Sequence, residues 1–247
     1  MTRQNSSLAS HYDQTFYDRQ IDGRLKSARK YAAILATMLL PKSVLDIGCG
    51  RGTWLKAFSE RGAERLVGID GPWNSQAGMI DSSIQFAQCD LENMPMLGER
   101  FDLSLSLEVG EHLSMNAAEK LIAALCGASD IVVFGAAVPG QGGINHINEQ
   151  PQSFWASKFL ARGYSAFDLF RPKVWEDEDV EVYYRQNTFL YAKEDALQPE
   201  CKQILECCRI SSLAFMDIRH PDLAGIKVHL AALEKAIKRR LGSTKAS

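Results

Sequence analysis

Two short stretches hold side chains able to do chemistry together. The first is SLEVGEHL, Ser106 to Leu113; the second is GGINHINEQ, Gly142 to Gln150. If EVGEH opens a helix, Glu108, Glu111 and His112 fall at i, i+3 and i+4 and share one face. Two carboxylates and an imidazole on one helical turn allow two readings. One is a solvated helix start, its acids favoured by the positive end of the helix. The other is a site for a hard cation. His146 in the second stretch is a further candidate ligand or base.

A third stretch, VLDIGCGRG (Val44 to Gly52), ends an apolar strand pattern in a glycine loop. Glycines there allow a tight turn and a close backbone approach to a ligand, and the next helix offers unpaired N–H groups. Asp46 lies inside the strand, and Asp70 ends the next strand pattern, where an acid can accept both ribose hydroxyls. Asp90, in QCDLEN, ends a third strand where an adenine amino group would be read. The loop reads G-C-G-R-G rather than the G-x-G-x-x-G of dinucleotide binding, and Asp46 would repel a pyrophosphate. A cationic nucleoside without phosphates fits these acids better.

These residues need strand ends to stand on, and the chain supplies them. Helix patterns cover Leu25–Leu40, Gly52–Gly62, Asn116–Gly127 and Pro151–Gly163. Strand patterns cover 43–48, 65–70, 83–90, 100–107, 130–138, 164–170 and 187–193. Such alternation predicts an α/β fold, a mostly parallel sheet with helices on both faces and functional loops at the carboxyl ends of the strands. The 247 residues suffice for one α/β domain with an extension. A net charge of −2 gives no global pull toward nucleic acid or an anionic membrane. The six cysteines show no paired spacing and read as buried free thiols of a reducing cytosol, so the expected location is cytoplasmic. The start of the chain lacks the apolar run of a signal peptide, and no apolar run is long enough to span a membrane.

VLDIGCGRG, VGIDG, QCDLEN and FDLSLSLEVGEHL, in this order, resemble the successive motifs of class I S-adenosylmethionine-dependent methyltransferases over roughly residues 20–193. The resemblance implies a Rossmann-like seven-stranded sheet with S-adenosylmethionine as cofactor. It implies that Asp46, Gly48, Cys49 and Gly50 line the methionine part, Asp70 with Gly71 holds the ribose, Asp90 and Leu91 meet the adenine, and Leu107 and Glu108 lie beside the sulfonium. It also implies an antiparallel last hairpin, with VEVYYRQNTFLYAKE carrying the final strand. The expected organisation is an N-terminal helical lid or cap over 1–40, the cofactor-binding domain over 41–195 and a C-terminal helical extension over 196–247.

In this fold the loops after strands four and five are neighbours, so His146 can face Glu108, Glu111 and His112. The set Glu108, Glu111, His112 and His146 is similar to the Glu-x-x-Glu-His plus downstream His of metal-dependent small-RNA 2′-O-methyltransferases and of some quinone-biosynthesis O-methyltransferases. It suits Mg²⁺, Mn²⁺, Fe²⁺ or Zn²⁺. Without a metal, His112 or His146 would take the acceptor's proton, and Glu111 completes the catalytic set. The RNA-binding parts of the former group are not recognisable here, so nucleic acid is not the expected partner. The stretch GQGGINHINEQPQSFW resembles bacterial methyltransferases that accompany polysaccharide or secondary-metabolite biosynthesis. The expected activity is O-methylation of a small-molecule or carbohydrate acceptor. N-methylation of a small amine or nucleotide stays open, as does a catalytically silent cofactor-binding protein.

Weaker signals remain. Tyr12, Phe16 and Tyr17 precede the first helix and read as core packing or as substrate contacts. Trp155 reads as core, Trp175 as core or as a wall of the acceptor pocket, and the acidic run Glu176–Glu181 as a solvated loop. Near the C-terminus, Ile226, Leu230, Leu233, Ile237 and Leu241 form one amphipathic stripe, expected to dock on this domain or to mediate self-association.

Overall fold

A computed structural model describes residues 14–220, with side chains from Ile21 onward. Tyr12, the side chains of Phe16 and Tyr17, and the amphipathic stripe near the C-terminus lie outside the described residues. Among the described residues, seven strands form one sheet: β1 (Ser43–Ile47), β2 (Arg65–Asp70), β3 (Gln85–Gln88), β4 (Leu103–Leu107), β5 (Ile131–Gly135), β6 (Ser165–Phe167) and β7 (Phe189–Ala192). Their order is β3-β2-β1-β4-β5-β7-β6. All pairs are parallel except those of β7, which runs antiparallel to β5 and β6.

Alternation along the strands builds two cores, one on each face of the sheet. Val44, Leu103, Leu105, Ile131, Val133, Leu190 and Ala192 face one core. Leu45, Ile47, Val132, Phe134, Phe189 and Tyr191 face the other. This period of two is what a strand covered on both faces requires. The first core packs under α1 (Gln14–Leu35) and α2 (Thr53–Ser59), the second under α3 (Met115–Ala128) and α4 (Gln152–Leu160). In α3, Ala117, Ala118, Leu121, Ile122, Leu125 and Ala128 are buried at helical spacing, and Ser114 caps its start by accepting from Ala117 N at 3.3 Å.

Three short helices follow along the chain: α5 (Arg171–Val174), α6 (Val182–Asn187) and α7 (Pro199–Glu206). Helix α6 corrects the expectation that the whole VEVYYRQN segment extends the final strand; its Tyr184, Gln186 and Asn187 are buried. Of the acidic run before α6, Glu176, Glu178 and Asp179 are exposed, whereas Asp177 and Glu181 are half-buried and hold α1 in place. Asp177 accepts from Lys30 Nζ at 2.8 Å, and Glu181 N donates to Ser27 Oγ at 3.0 Å. Beyond β7, Ile210 N donates to Ala166 O at 3.0 Å and Ser153 Oγ donates to Asp217 at 2.7 Å, so the chain continues along β6 and α4. Trp155 is fully buried. The cysteines are free, as expected, although only Cys49 and Cys201 are buried and Cys207 is exposed.

The connections from β2 to β3 and from β3 to β4 carry only short 3-10 turns, so β3 is a thinly covered edge strand. Gln76 occupies part of its outer rim. Its side-chain amide donates to Ile84 O at 2.8 Å and accepts from Phe86 N at 2.9 Å.

Candidate active site

The strand order reverses between β1 and β4, where a doubly wound sheet opens a crevice at its carboxyl edge. A cavity of about 320 Å³ lies there. Among its walls are Asp46, Gly48, Cys49, Gly50, Leu107, Glu108, Glu111, His112 and His146, all expected from the sequence. Ile21 and Arg24 of α1 and Tyr183 and Tyr184 of α6 close it from the other side.

The glycine loop is tied to β2. Gly48 takes a positive φ of 80° and donates to Ile69 O at 2.7 Å. The two oxygens of Asp70 accept from Gly50 N and Gly71 N, each at 2.7 Å. Asp70, Gly71, Asp90 and Leu91 are not on the cavity wall. Asp70 and Gly71 lie directly behind the loop, and the exposed Trp73 ring covers Gly71. The Asp90 carboxylate caps a turn over Leu91–Asn93, accepting from Glu92 N at 3.1 Å and Asn93 Nδ2 at 2.8 Å. Leu91 is buried in the second core. Asp46 is buried with its Oδ2 unpartnered, and burial first, then the neighbouring Asp70, holds its carboxyl well above the usual range. Such a carboxyl awaits a cationic or hydrogen-bonding partner.

EVGEH does not open a helix, which corrects the i, i+3, i+4 argument. Glu108 has φ 57°, Gly110–His112 form a single 3-10 turn, and α3 starts only at Met115. The reason is local. Ser114 supplies the real N-cap, and the Trp155 ring packs on Gly110, where a Cβ would crowd it. Glu108 consequently points elsewhere. Its Oε1 accepts from Asn187 Nδ2 at 2.8 Å and its Oε2 from Gln141 Nε2 at 2.9 Å, and burial raises its carboxyl above the ordinary value.

Glu111, His112 and His146 do converge: one ligand atom from each lies within 4.8 Å of the others. Glu108 is not in that group. Glu111 is 0% exposed, and neither carboxyl oxygen has a hydrogen-bond partner. Burial, and then the nearby Glu108, push its carboxyl up to about 9. Burial, and then His146, lower the His112 imidazole. The two imidazoles meet edge to face, with centroids 4.8 Å apart. Main-chain bonds bring the second stretch here, since Glu111 O accepts from Ile147 N at 2.9 Å and from Asn148 N at 3.0 Å.

The sequence reading missed several residues of this site. Gln141 and Asn187 engage Glu108, and Asn187 comes from a segment read as strand. Glu149 accepts from the main-chain N–H groups of Gly140 (2.6 Å) and Gly142 (2.8 Å) and pairs with His146 Nδ1 at 2.9 Å. Those three hydrogen bonds outweigh its burial and hold its carboxyl below the usual range. Its spacing, three residues after His146, was the available signal. Trp175, one expectation for the acceptor pocket, lies elsewhere, packed on His220 with ring centroids 4.5 Å apart.

Residues 44–128 match the methyltransferase domain family. A ubiquinone biosynthesis O-methyltransferase from Azorhizobium caulinodans is 38% identical over 77 residues, 29% of this chain and 30% of that protein. A tRNA U34 carboxymethyltransferase from Campylobacter hominis is 32% identical over 101 residues, 38% of this chain and 35% of that protein. The chain thus matches only about a third of the length of these curated relatives. In fold, it is similar to magnesium protoporphyrin IX methyltransferase from Synechocystis with bound S-adenosylmethionine. The TM-score is 0.51 at 17% identity, over 74% of this chain and 86% of that one. The β3-β2-β1-β4-β5-β7-β6 sheet with the glycine loop at its switch point is the Rossmann-like fold of class I methyltransferases, and residues 44–128, from β1 through α3, carry the match to the methyltransferase domain family.

Proposed function

We propose that this protein methylates a hydroxyl group of a small-molecule or sugar-like acceptor, using S-adenosylmethionine and a divalent cation held by Glu111, His112 and His146. The observation that carries this reading is Glu111, a fully buried carboxyl without a hydrogen-bond partner that faces two imidazoles on the wall of the same cavity as the glycine loop. A buried carboxyl in that state is costly unless something fills the space between the three groups. One carboxylate and two imidazoles with open positions form a donor set for Mn²⁺, Fe²⁺ or Zn²⁺, and with water for Mg²⁺. Bound there, a cation would lower the pKa of the acceptor hydroxyl and orient it.

The chain's own residues do the rest. The carboxylates of Asp46 and Glu108 lie on the wall where a sulfonium and an ammonium would sit. The loop from Gly48 to Gly50 exposes backbone to the cofactor. Transfer breaks the sulfur–methyl bond and forms an oxygen–methyl bond, and the hydroxyl proton leaves to an imidazole or to water. Positioning supplies most of the acceleration in such an in-line displacement. O-methyltransferases among the relatives support the oxygen acceptor. The near-neutral net charge of −2 favours a small acceptor over an RNA of the kind that the tRNA-modifying relative is named for.

Incubating the protein with a small-molecule extract and isotopically labelled S-adenosylmethionine, followed by mass spectrometry, tests the reading. A labelled, hydroxyl-methylated product that disappears with a chelator and returns with Mn²⁺ or Mg²⁺ is expected. Turnover indifferent to chelator would replace the metal with His112 or His146 as direct base. Failure to bind S-adenosylhomocysteine in calorimetry would remove the methyltransferase reading altogether.

A further inference from the structure

His146 stands on a loop whose shape is set by one side chain. Glu149 gathers Gly140 N, Gly142 N and His146 Nδ1 onto its two carboxyl oxygens. Gly140 and Gly142 take φ of 82° and 74°, and Asn145 takes 61°, so the loop doubles back tightly over Glu149. The far end of the loop is pinned at Ile147 and Asn148 by the main-chain oxygen of Glu111. His146 is thereby held between a carboxylate on Nδ1 and the ring of His112. A neutral imidazole facing a carboxylate oxygen at 2.9 Å through Nδ1 must carry its proton there, since two lone pairs would otherwise oppose each other.

We infer that Glu149 is a positioning residue that fixes His146 in the Nδ1–H tautomer, leaves the ring's lone pair on Nε2, and locks the loop against Glu111. The inference rests on the proposed role of His146 as ligand or base, and it holds for either. A carboxylate behind a histidine sets the ring's orientation and its tautomer.

The test is ¹⁵N-edited NMR of histidine-labelled full-length protein, with S-adenosylhomocysteine calorimetry as the control for folding. In the wild type, His146 is expected to show a protonated Nδ1 and an unprotonated Nε2. In Glu149→Gln the amide can donate as well as accept, so a mixture of tautomers is expected. In Glu149→Ala the Nε2–H form should grow further, with affinity for S-adenosylhomocysteine within about twofold of wild type. A wild-type His146 in the Nε2–H form or doubly protonated at neutral pH would overturn the inference. So would an unchanged tautomer in both variants. Co²⁺ titration of the same samples separates this from the functional reading. If the wild type binds Co²⁺, Glu149→Ala should weaken it roughly 10- to 100-fold. If the wild type binds no Co²⁺, the metal fails while the tautomer measurement still decides the role of Glu149.

Discussion

At the scale of single residues, Glu111 dominates the electrostatics of the site. Its carboxyl, ordinarily near 4.5, titrates near 9 in the folded protein, whereas an unfolded chain gives up that proton at the ordinary value. Stability from this group is therefore fully present below about pH 4.5 and declines until the pH passes about 9. Glu111→Gln removes the penalty. At pH 7 the metal-free variant is expected to be more stable than wild type by on the order of 3 kcal/mol, and the two should converge near pH 4. Urea denaturation at both pH values checks this. Equal stability at pH 7 would mean that Glu111 is solvated. Cation binding must expel the same proton, so Co²⁺ affinity should rise by about tenfold per pH unit between pH 6 and 8. Calorimetry at three pH values reads the slope. Asp70 acts instead through the main chain of the glycine loop. Asp70→Ala unties Gly50 N and Gly71 N, and it should weaken binding of S-adenosylhomocysteine by roughly 2 kcal/mol or more.

At the scale of elements, the residues after β5 form the most demanding piece of the site. A Cβ on Gly143 would overlap the His146 ring. Gly143→Ala is expected to displace that imidazole and lower turnover by about 10²-fold, with cofactor affinity unchanged. A loss of affinity equal to the loss of turnover would show that the whole mouth had moved. Elements also explain what the sequence made legible. Strands β1, β2, β4 and β5 announce themselves through apolar runs ending in glycines or acids, and the cofactor loop follows from its position after β1. His146 could be joined to Glu111 and His112 because topology makes the loops after β4 and β5 neighbours. The path between Glu108 and Glu111 was not legible. Helical spacing suggested one face, but a positive φ at Glu108 and the cap at Ser114 are decided by packing against Trp155 and by Glu92, which binds Ser114 Oγ at 2.7 Å. Asn187 was hidden for a similar reason: α6 is too short for periodicity to separate it from the strand that follows.

At the scale of the whole molecule, the sheet is asymmetric. The site half is buried under α1 to α4, while the β3 side ends in a strand with most of its residues exposed. Among the described residues, no helix is long and apolar enough to cross a membrane. An open strand at the rim of a sheet invites the rim of another copy. Gln76 answers part of that invitation with its own amide, which mimics one residue of an absent neighbour at Ile84 and Phe86. Among the described residues, the side chain thereby leaves fewer free main-chain groups on this rim for another copy to pair with. Gln76→Ala should leave cofactor binding intact and lower the concentration at which copies begin to add to one another, visible as mass that grows with concentration in light scattering. A variant that stays monodisperse over the same range as wild type would show that the rim is protected by something else.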